Sequence, residues 1–262
     1  MDKRGTEVAR SYLFQDLVSS TSCFSQVRWL SEGAFGSVFR GVLGGGKEIA
    51  VKRLNQDARL SERQFMSEVT TLERTQHKNI TRLEGYCYYR LPDDDDDAVP
   101  ERLLCYEVPR GCGRRLDTVL FGGTSNNSNK QGLDWGTRFE IVQGICQGVQ
   151  YLHKECPDAP IVGLDLNPVI IWLDDGMVPK LGDFGHSQAF LEKAAPRKPT
   201  ASVFGPIMGR MAPEYANSGI LTAESDIFSL GVLIVEILTG EKCGGGNRTD
   251  HYSGRSFVEN VR

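Results

Sequence analysis

The sequence predicts an α+β fold in two lobes, a small antiparallel β lobe with one helix and then a mainly helical lobe. Three observations predict it. Between Trp29 and Val108, short apolar runs alternate with glycine and polar breaks, as strands and hairpins do, and one segment has helical spacing. Beyond the polar stretch at 121–132, apolar residues recur every three or four positions. "SDIFSLGVLIVEILTG" is apolar almost all round, so a helix buried at the centre of the second lobe is expected. The chain has 262 residues, 40% of them hydrophobic and 24% charged, which is ordinary for a globular protein of this size.

In chain order, residues 1–27 form a lead-in with one short amphipathic piece, "YLFQDLV". "SVFRGVL" and "EIAVKRL" have strand composition, and Gly44, Gly45 and Gly46 between them predict a hairpin. "SERQFMSEVTTLERTQ" places Phe65, Val69 and Leu72 at helical spacing. Two more strand-like runs, "ITRLEGYCYY" and "RLLCYEV", flank the insertion "LPDDDDDAVPE". Asp93 to Asp97 read as a solvated loop, because successive aspartates converge on a cation only in a shaped turn. "FGGTSNNSNKQG" (121–132) is a second polar loop. "WGTRFEIVQGICQGVQYLHKE" then carries Phe139, Val142, Ile145, Val149 and Leu152 along one helical face. "IVGLDLNPVIIWLDD" (161–175) reads as two buried strands with Asp165 in the turn between them, at the junction of the lobes. The tail "GGGNRTDHYSGRSFVENVR" begins as loop and ends in a turn or two of helix.

A formal net charge of −4 leaves no basic surplus for a nucleic-acid partner. No run approaches the roughly 18 apolar residues of a membrane helix, and the N-terminus lacks the apolar core of a signal peptide. A soluble, cytoplasmic chain is expected. Seven scattered cysteines with no C-x-x-C pair argue against a disulfide framework and against zinc.

The chemistry gathers in ordered motifs. In "LSEGAFGSVFRG", Gly33 and Gly36 let backbone amides approach phosphate groups, since no side chain stands between. Lys52 in "AVK" falls on the next strand, where a buried ammonium needs a partner, and Glu68 on the following helix can supply one. "DFG" (183–185) and "APE" (212–214) complete the order of the protein-kinase signature. From about residue 12 onward the chain resembles a eukaryotic protein kinase domain of the plant receptor-like Ser/Thr type. "SYLFQDLVSSTSCFS", "HKNITRLEGYC", "LDWGTRFEIVQGICQGVQYLHKEC", "MAPEYANSG" and "SDIFSLGVLIVEILTGEK" carry the plant-type likeness.

The resemblance implies a bilobal protein-kinase fold, with an N-lobe over 28–108 and a C-lobe over 109–262 that lacks the family's last helices. It implies ATP and Mg²⁺ as cofactors and a protein substrate or protein partner. Ser31, Glu32, Gly33, Ala34, Phe35, Gly36 and Val38 would cover the nucleotide, with Val38 and Ala50 against the adenine. Tyr106 would be the gatekeeper, and Glu107 and Val108 the hinge. Lys52 would bind the α- and β-phosphates and pair with Glu68, while Asp183 would hold magnesium. Asp165 would be the catalytic base, and Asp226 would accept backbone hydrogen bonds from the catalytic loop.

The loop departs from the family's H-R-D-L-x-x-x-N. Gly163 and Leu164 replace the histidine and arginine, and Asn167 stands where a lysine steadies the transferring phosphate. Ile170 replaces the asparagine that ligates a second magnesium, and isoleucine has no oxygen to offer a hard cation. Ser31 replaces the first glycine of the phosphate loop, and Pro206 stands where a threonine usually touches the catalytic aspartate. The family's arginine partner for Glu214 lies beyond "SFVENVR", so the helix at 227–238 is expected to lose part of its cover, with marginal stability or a covering partner as the result. The expected function is a kinase-like domain that binds ATP with one metal at most, transfers phosphate poorly, and acts as a scaffold or regulator in receptor-like signalling. An active Ser/Thr protein kinase and a non-functional truncated fragment stay open as alternatives. Any place at the cytoplasmic face of the plasma membrane would come through partners.

Overall fold

The computed structural model describes residues 9–33, 36–55, 62–90, 100–108, 114–122, 133–157, 160–164, 166–182, 210–218 and 222–243. The chain divides into two compact units, Met1–Gln76 with Thr81–Val108, and His77–Ile80 with Pro109–Arg262.

The first unit is built on a six-stranded sheet in the order β1-β5-β6-β4-β3-β2. Its strands are β1 (Arg10–Ser11), β2 (Trp29–Gly33), β3 (Gly36–Val42), β4 (Glu48–Leu54), β5 (Leu83–Tyr89) and β6 (Glu101–Glu107). Neighbours are antiparallel except β1, which runs parallel to β5. The triple glycine closes the β3–β4 hairpin. Gly45 and Gly46 have φ of 86° and 82°, a region that side chains disfavour, and Leu43 N–H donates to Lys47 O at 2.8 Å.

Two helices cover the two faces of this sheet. α2 (Glu62–Arg74) buries Phe65, Val69 and Leu72, as their spacing predicts, together with Glu68. Phe65 meets the rings of Tyr86 and Tyr88, so α2 lies on the face those tyrosines occupy. The opposite face receives α1 (Phe14–Ser20), whose Leu17 is buried among Ile49, Val51, Cys87, Leu103 and Cys105. Residues 9–25, expected as a lead-in, thus supply a strand and a helix to the sheet. After α1, Ser22, Cys23 and Phe24 have φ of 53°, 58° and 53°, each costing ~1–2 kcal/mol in a residue with a side chain. The Thr21 hydroxyl steadies this left-handed turn, donating to Leu17 O at 2.7 Å and accepting from Phe24 N–H at 3.2 Å.

The second unit holds a three-stranded sheet of β7 (Arg114–Arg115), β8 (Ile171–Leu173) and β9 (Pro179–Leu181). Its helices are α3 (Leu116–Phe121), α4 (Trp135–Gln150), α5 (Pro213–Ser218) and α6 (Ala223–Thr239). Asp134 caps α4 by accepting from Thr137 N–H at 2.9 Å, and the helix runs into a π-helical turn, Tyr151–Glu155. Of the two strands expected in 161–175, only the second forms; residues 161–164 run as loop.

The buried face of α4 and the turn after it keeps Ile145, Val149 and Leu152 of the stripe its apolar spacing predicts, but is rotated away from the other two residues. Phe139 is 56% exposed and Val142 half-buried, while Ile141, Gly144, Ile145, Gly148 and Val149 face inward. The glycines set this orientation. A Cβ on Gly144 would come within 2.6 Å of Pro179 Cγ, and one on Gly148 within 2.7 Å of Leu181 Cδ1. Asn79 locks the same contact, donating from Nδ2 to Pro179 O at 2.9 Å and accepting from Leu181 N–H at 2.8 Å.

α6 opens with a reciprocal Thr222–Ser225 cap and closes on Gly240 at φ 74°. It is buried on one side rather than all round, since Ile227 and Leu238 are 54% and 39% exposed. Its interior also holds an ion pair that the sequence did not announce. Glu236, fully buried, receives Arg210 Nε at 3.2 Å and Nη2 at 2.5 Å, and Cys243 N–H at 2.7 Å. Ser229 Oγ donates to Arg210 O at 2.8 Å, so the chain ahead of α5 is clipped to α6. Removing one partner strands the other charge. Arg210→Met is expected to cost about 3–5 kcal/mol in urea unfolding, and the double variant Arg210→Met/Glu236→Met much less. A double variant as unstable as the single one would contradict this.

Candidate functional site

Strand register places Lys52. It pairs with Val38 on β3 and Leu104 on β6, and Leu104 pairs with Tyr86 on β5. Opposed residues share a face, so Lys52 lies on the Tyr86 face that α2 covers. Glu68 follows Phe65 by one turn on that helix, and Lys52 and Glu68 are each 1% exposed. This is the placement in which a buried ammonium and a buried carboxylate can compensate each other. A third buried charge shares the face. Arg102, on β6 ahead of Leu104, is also 1% exposed, and its Nη2 donates to Asn55 O at 3.1 Å. Burial pulls its guanidinium below the ordinary value, and the fields of Tyr88, Glu68 and Glu101 oppose that pull. The one sequence signal for it was an arginine directly before the apolar run of "RLLCYEV".

Ser31, Glu32 and Gly33 lie on β2, and Gly36 at the start of β3 pairs with Gly33. Gly36 has a packing reason of its own, because a Cβ there would come 2.2 Å from Arg53 O. Ala50 opposes Tyr106 across β4 and β6, and Val38, Ala50 and Tyr106 are all buried. Glu107 N–H donates to Arg82 O at 2.9 Å, and Val108 follows the end of β6, half-buried. Ala34, Phe35, Asp165 and Asp183 lie outside the described residues, as do Phe184 and Pro206.

In the second unit, Asp226 in the first turn of α6 gathers donors from two directions. Its Oδ2 accepts from Gly163 N–H at 2.9 Å and lies 2.8 Å from His153 Nε2 in the π-helical turn. Its Oδ1 accepts from Leu164 N–H at 2.7 Å. Burial pushes the Asp226 carboxyl above its ordinary range, while His153 and the two loop N–H groups hold it down. The backbone role that the resemblance implied for Asp226 is therefore present in the geometry.

The sequence matches the family model described as protein kinase domain over residues 24–258. The chain belongs to that family. The kinase domain is 39% identical over 224 residues to a G-type lectin S-receptor-like serine/threonine-protein kinase of Arabidopsis thaliana, covering 86% of this chain and 26% of that protein. It is 37% identical over 230 residues to cysteine-rich receptor-like protein kinase 41 of the same plant, covering 87% and 32%. The chain thus spans about a quarter to a third of the length of these relatives. Among solved structures it is similar to the pseudokinase domain of BIR2, described as an immune regulator of the RLK/Pelle family. That match has a TM-score of 0.71 and 25% identity, and covers 98% of this chain and 74% of the other. An apo pseudokinase shares the fold at a TM-score of 0.58 and 20% identity, over 100% and 76% of the two chains. The plant receptor-like family and the α+β kinase fold are as the motifs implied.

Each altered position of this kinase domain's catalytic loop has a structural occupation. Leu164 and Ile170 are 4% and 7% exposed, so apolar side chains are packed where the family has an arginine and an asparagine. Asn167 Oδ1 accepts from Val169 N–H at 2.9 Å, an Asx turn that engages its carbonyl within the loop. Ile170 is tied by its backbone, with N–H to Asn167 O at 3.3 Å and O accepting from Gly182 N–H at 2.9 Å. Gly163 has φ of 82°, a conformation that L residues rarely adopt. Among the described residues, no group of three or more His, Cys, Asp or Glu could hold a metal ion, and no helix is long and apolar enough to cross a membrane. Gly163→Ala is expected to lower stability by about 1–2 kcal/mol in chemical denaturation. An unchanged midpoint would show that the loop backbone can turn over without loss.

Proposed function

We propose that this kinase domain binds ATP through its first unit and acts on protein partners as a regulator, with phosphoryl transfer to Ser or Thr impaired. Kinase domains as a family use ATP and Mg²⁺ and act on proteins. Bound ATP supplies the phosphoryl group, and Mg²⁺ spreads and neutralises its charge. The residues present fit the nucleotide better than they fit a second metal. Lys52 is a buried ammonium on the covered face of the sheet, suited to a polyphosphate.

Ile170 carries the reading. Its side chain is packed at 7% exposure where the reaction needs an oxygen ligand, and Mg²⁺ accepts no substitute for oxygen. Asn167, in the place of the phosphate-steadying lysine, carries no charge and shapes the loop instead. Transfer depends on positioning and charge neutralisation, so losing both groups removes much of what the loop contributes. BIR2, described as a pseudokinase and an immune regulator, supports a regulatory role in receptor-like signalling. The survival of Lys52, Glu68, Asp165 and Asp183 in the sequence favours a second reading, an active Ser/Thr kinase.

Titrating ATP against the full chain, once with Mg²⁺ and once with EDTA, tests binding. Binding is expected in both, and Lys52→Met should weaken it about tenfold or more, the loss of one charge-assisted contact. Phosphate transfer is expected to match that of an Asp165→Asn control. Transfer abolished by Asp165→Asn would establish the active reading, and no binding in either buffer would leave a scaffold without nucleotide.

A further inference from the structure

The N-terminal segment touches the helix that carries Glu68. β1 runs along the β5 edge with Arg10 opposite Gly85 and Ser11 opposite Tyr86, and Tyr12 N–H donates to Tyr86 O at 2.8 Å. One residue ahead of β1, Ala9 N–H donates to Glu73 Oε1 at 2.8 Å. Glu73 lies in the last turn of α2, on the same rigid helix as Glu68. Three contacts seat the segment. Gly85 has no room for a side chain, since a Cβ would come 2.3 Å from Arg10 O and 2.5 Å from Tyr12 Cε2. Leu17 fills the apolar cluster that includes Cys87 and Cys105, and Phe14 stacks on Tyr89 with ring centroids 4.8 Å apart. "SYLFQDLVSSTSCFS" and "LEGYC" are therefore two halves of one joint.

We propose that residues 9–24 are a positioning strap for α2. Docked on the sheet, they hold the C-terminal turn of α2 through Glu73 and so set where Glu68 stands over the Lys52 face. Glu73 is the positioning residue, and it acts on Glu68 only through the helix. The mechanical link stands by itself; its effect on a bound nucleotide rests on the ATP-binding reading above.

Two readouts on the full chain separate docking from positioning. Hydrogen exchange of peptides spanning 65–74 reports α2, and peptide-resolved alkylation of Cys87 and Cys105 reports the strap. Both thiols are buried, and burial pushes Cys87 up to about 11 and Cys105 higher, so neither reacts while the strap is docked. Glu73→Ala is expected to speed α2 exchange about tenfold, as a lost charge-assisted bond would, with the thiols still protected. Glu73→Gln keeps an acceptor oxygen without the charge and should exchange more slowly than Glu73→Ala, between it and the wild type. Gly85→Val should release the strap, accelerating both readouts. Unchanged α2 exchange in Glu73→Ala, or exposed thiols with unchanged α2 exchange in Gly85→Val, would overturn the proposal. Should Gly85→Val fail to fold, the contrast between Glu73→Ala and Glu73→Gln decides alone. ATP affinity of Glu73→Ala, matched for melting temperature, is expected to fall about threefold or more. A wild type that binds no ATP would sink the nucleotide reading while the exchange data still decide the strap.

Discussion

A carboxylate 1% exposed at the start of a helix is tolerable only when its oxygens are filled, and Asp226 is that carboxylate here. Its donors come from the Gly163 and Leu164 backbone and from His153, so the loop, the π-helical turn and the head of α6 are bound to one another. The N-terminal end of α6 adds its own preference for negative charge. The backbone of the catalytic loop is consequently dictated from the helix side. Side chains along the loop can change character while its path is kept.

That separation lets polar and apolar side chains stand along one loop without unfolding its lobe. Catalytic polar groups are held at some cost to stability, and apolar replacements relieve it. Leu164 and Ile170 are part of the core, and Asn167 forms a turn. The buried Arg210–Glu236 pair is the counterexample in the same lobe, an internal polar contact kept where it fastens one segment to another.

What was legible in the sequence was local. The Gly44–Gly46 hairpin and the buried stripe of α2 follow from turn chemistry and from spacing within one element. The family and its fold followed from motifs in order, because each motif answers to a different part of one site. Ile145, Val149 and Leu152 are buried as their spacing predicts, but Phe139 and Val142 were misplaced because a count of apolar residues treats Gly144 and Gly148 as gaps, whereas close packing against Pro179 and Leu181 needs them. The Arg210–Glu236 pair went unseen because the family pattern points to Glu214, and nothing local links residues so far apart. Likewise "YLFQDLV" announced an apolar face but not the sheet face it would meet. The burial of Lys52 and Glu68 was foreseeable from strand and helix phase; that Arg102 joins them depended on which strand lay next to β4.

Gly163 ties the course of the loop to its anchor. With φ at 82° and its N–H committed to Asp226, the position suits glycine and little else. A residue with a Cβ there would meet either a strained backbone or a peptide rotated away from Asp226. The turn and the anchor are thus coupled, and one cannot be altered without disturbing the other. Gly163 works as a hinge pin, small enough to let the chain turn and fixed at the point where Asp226 grips it.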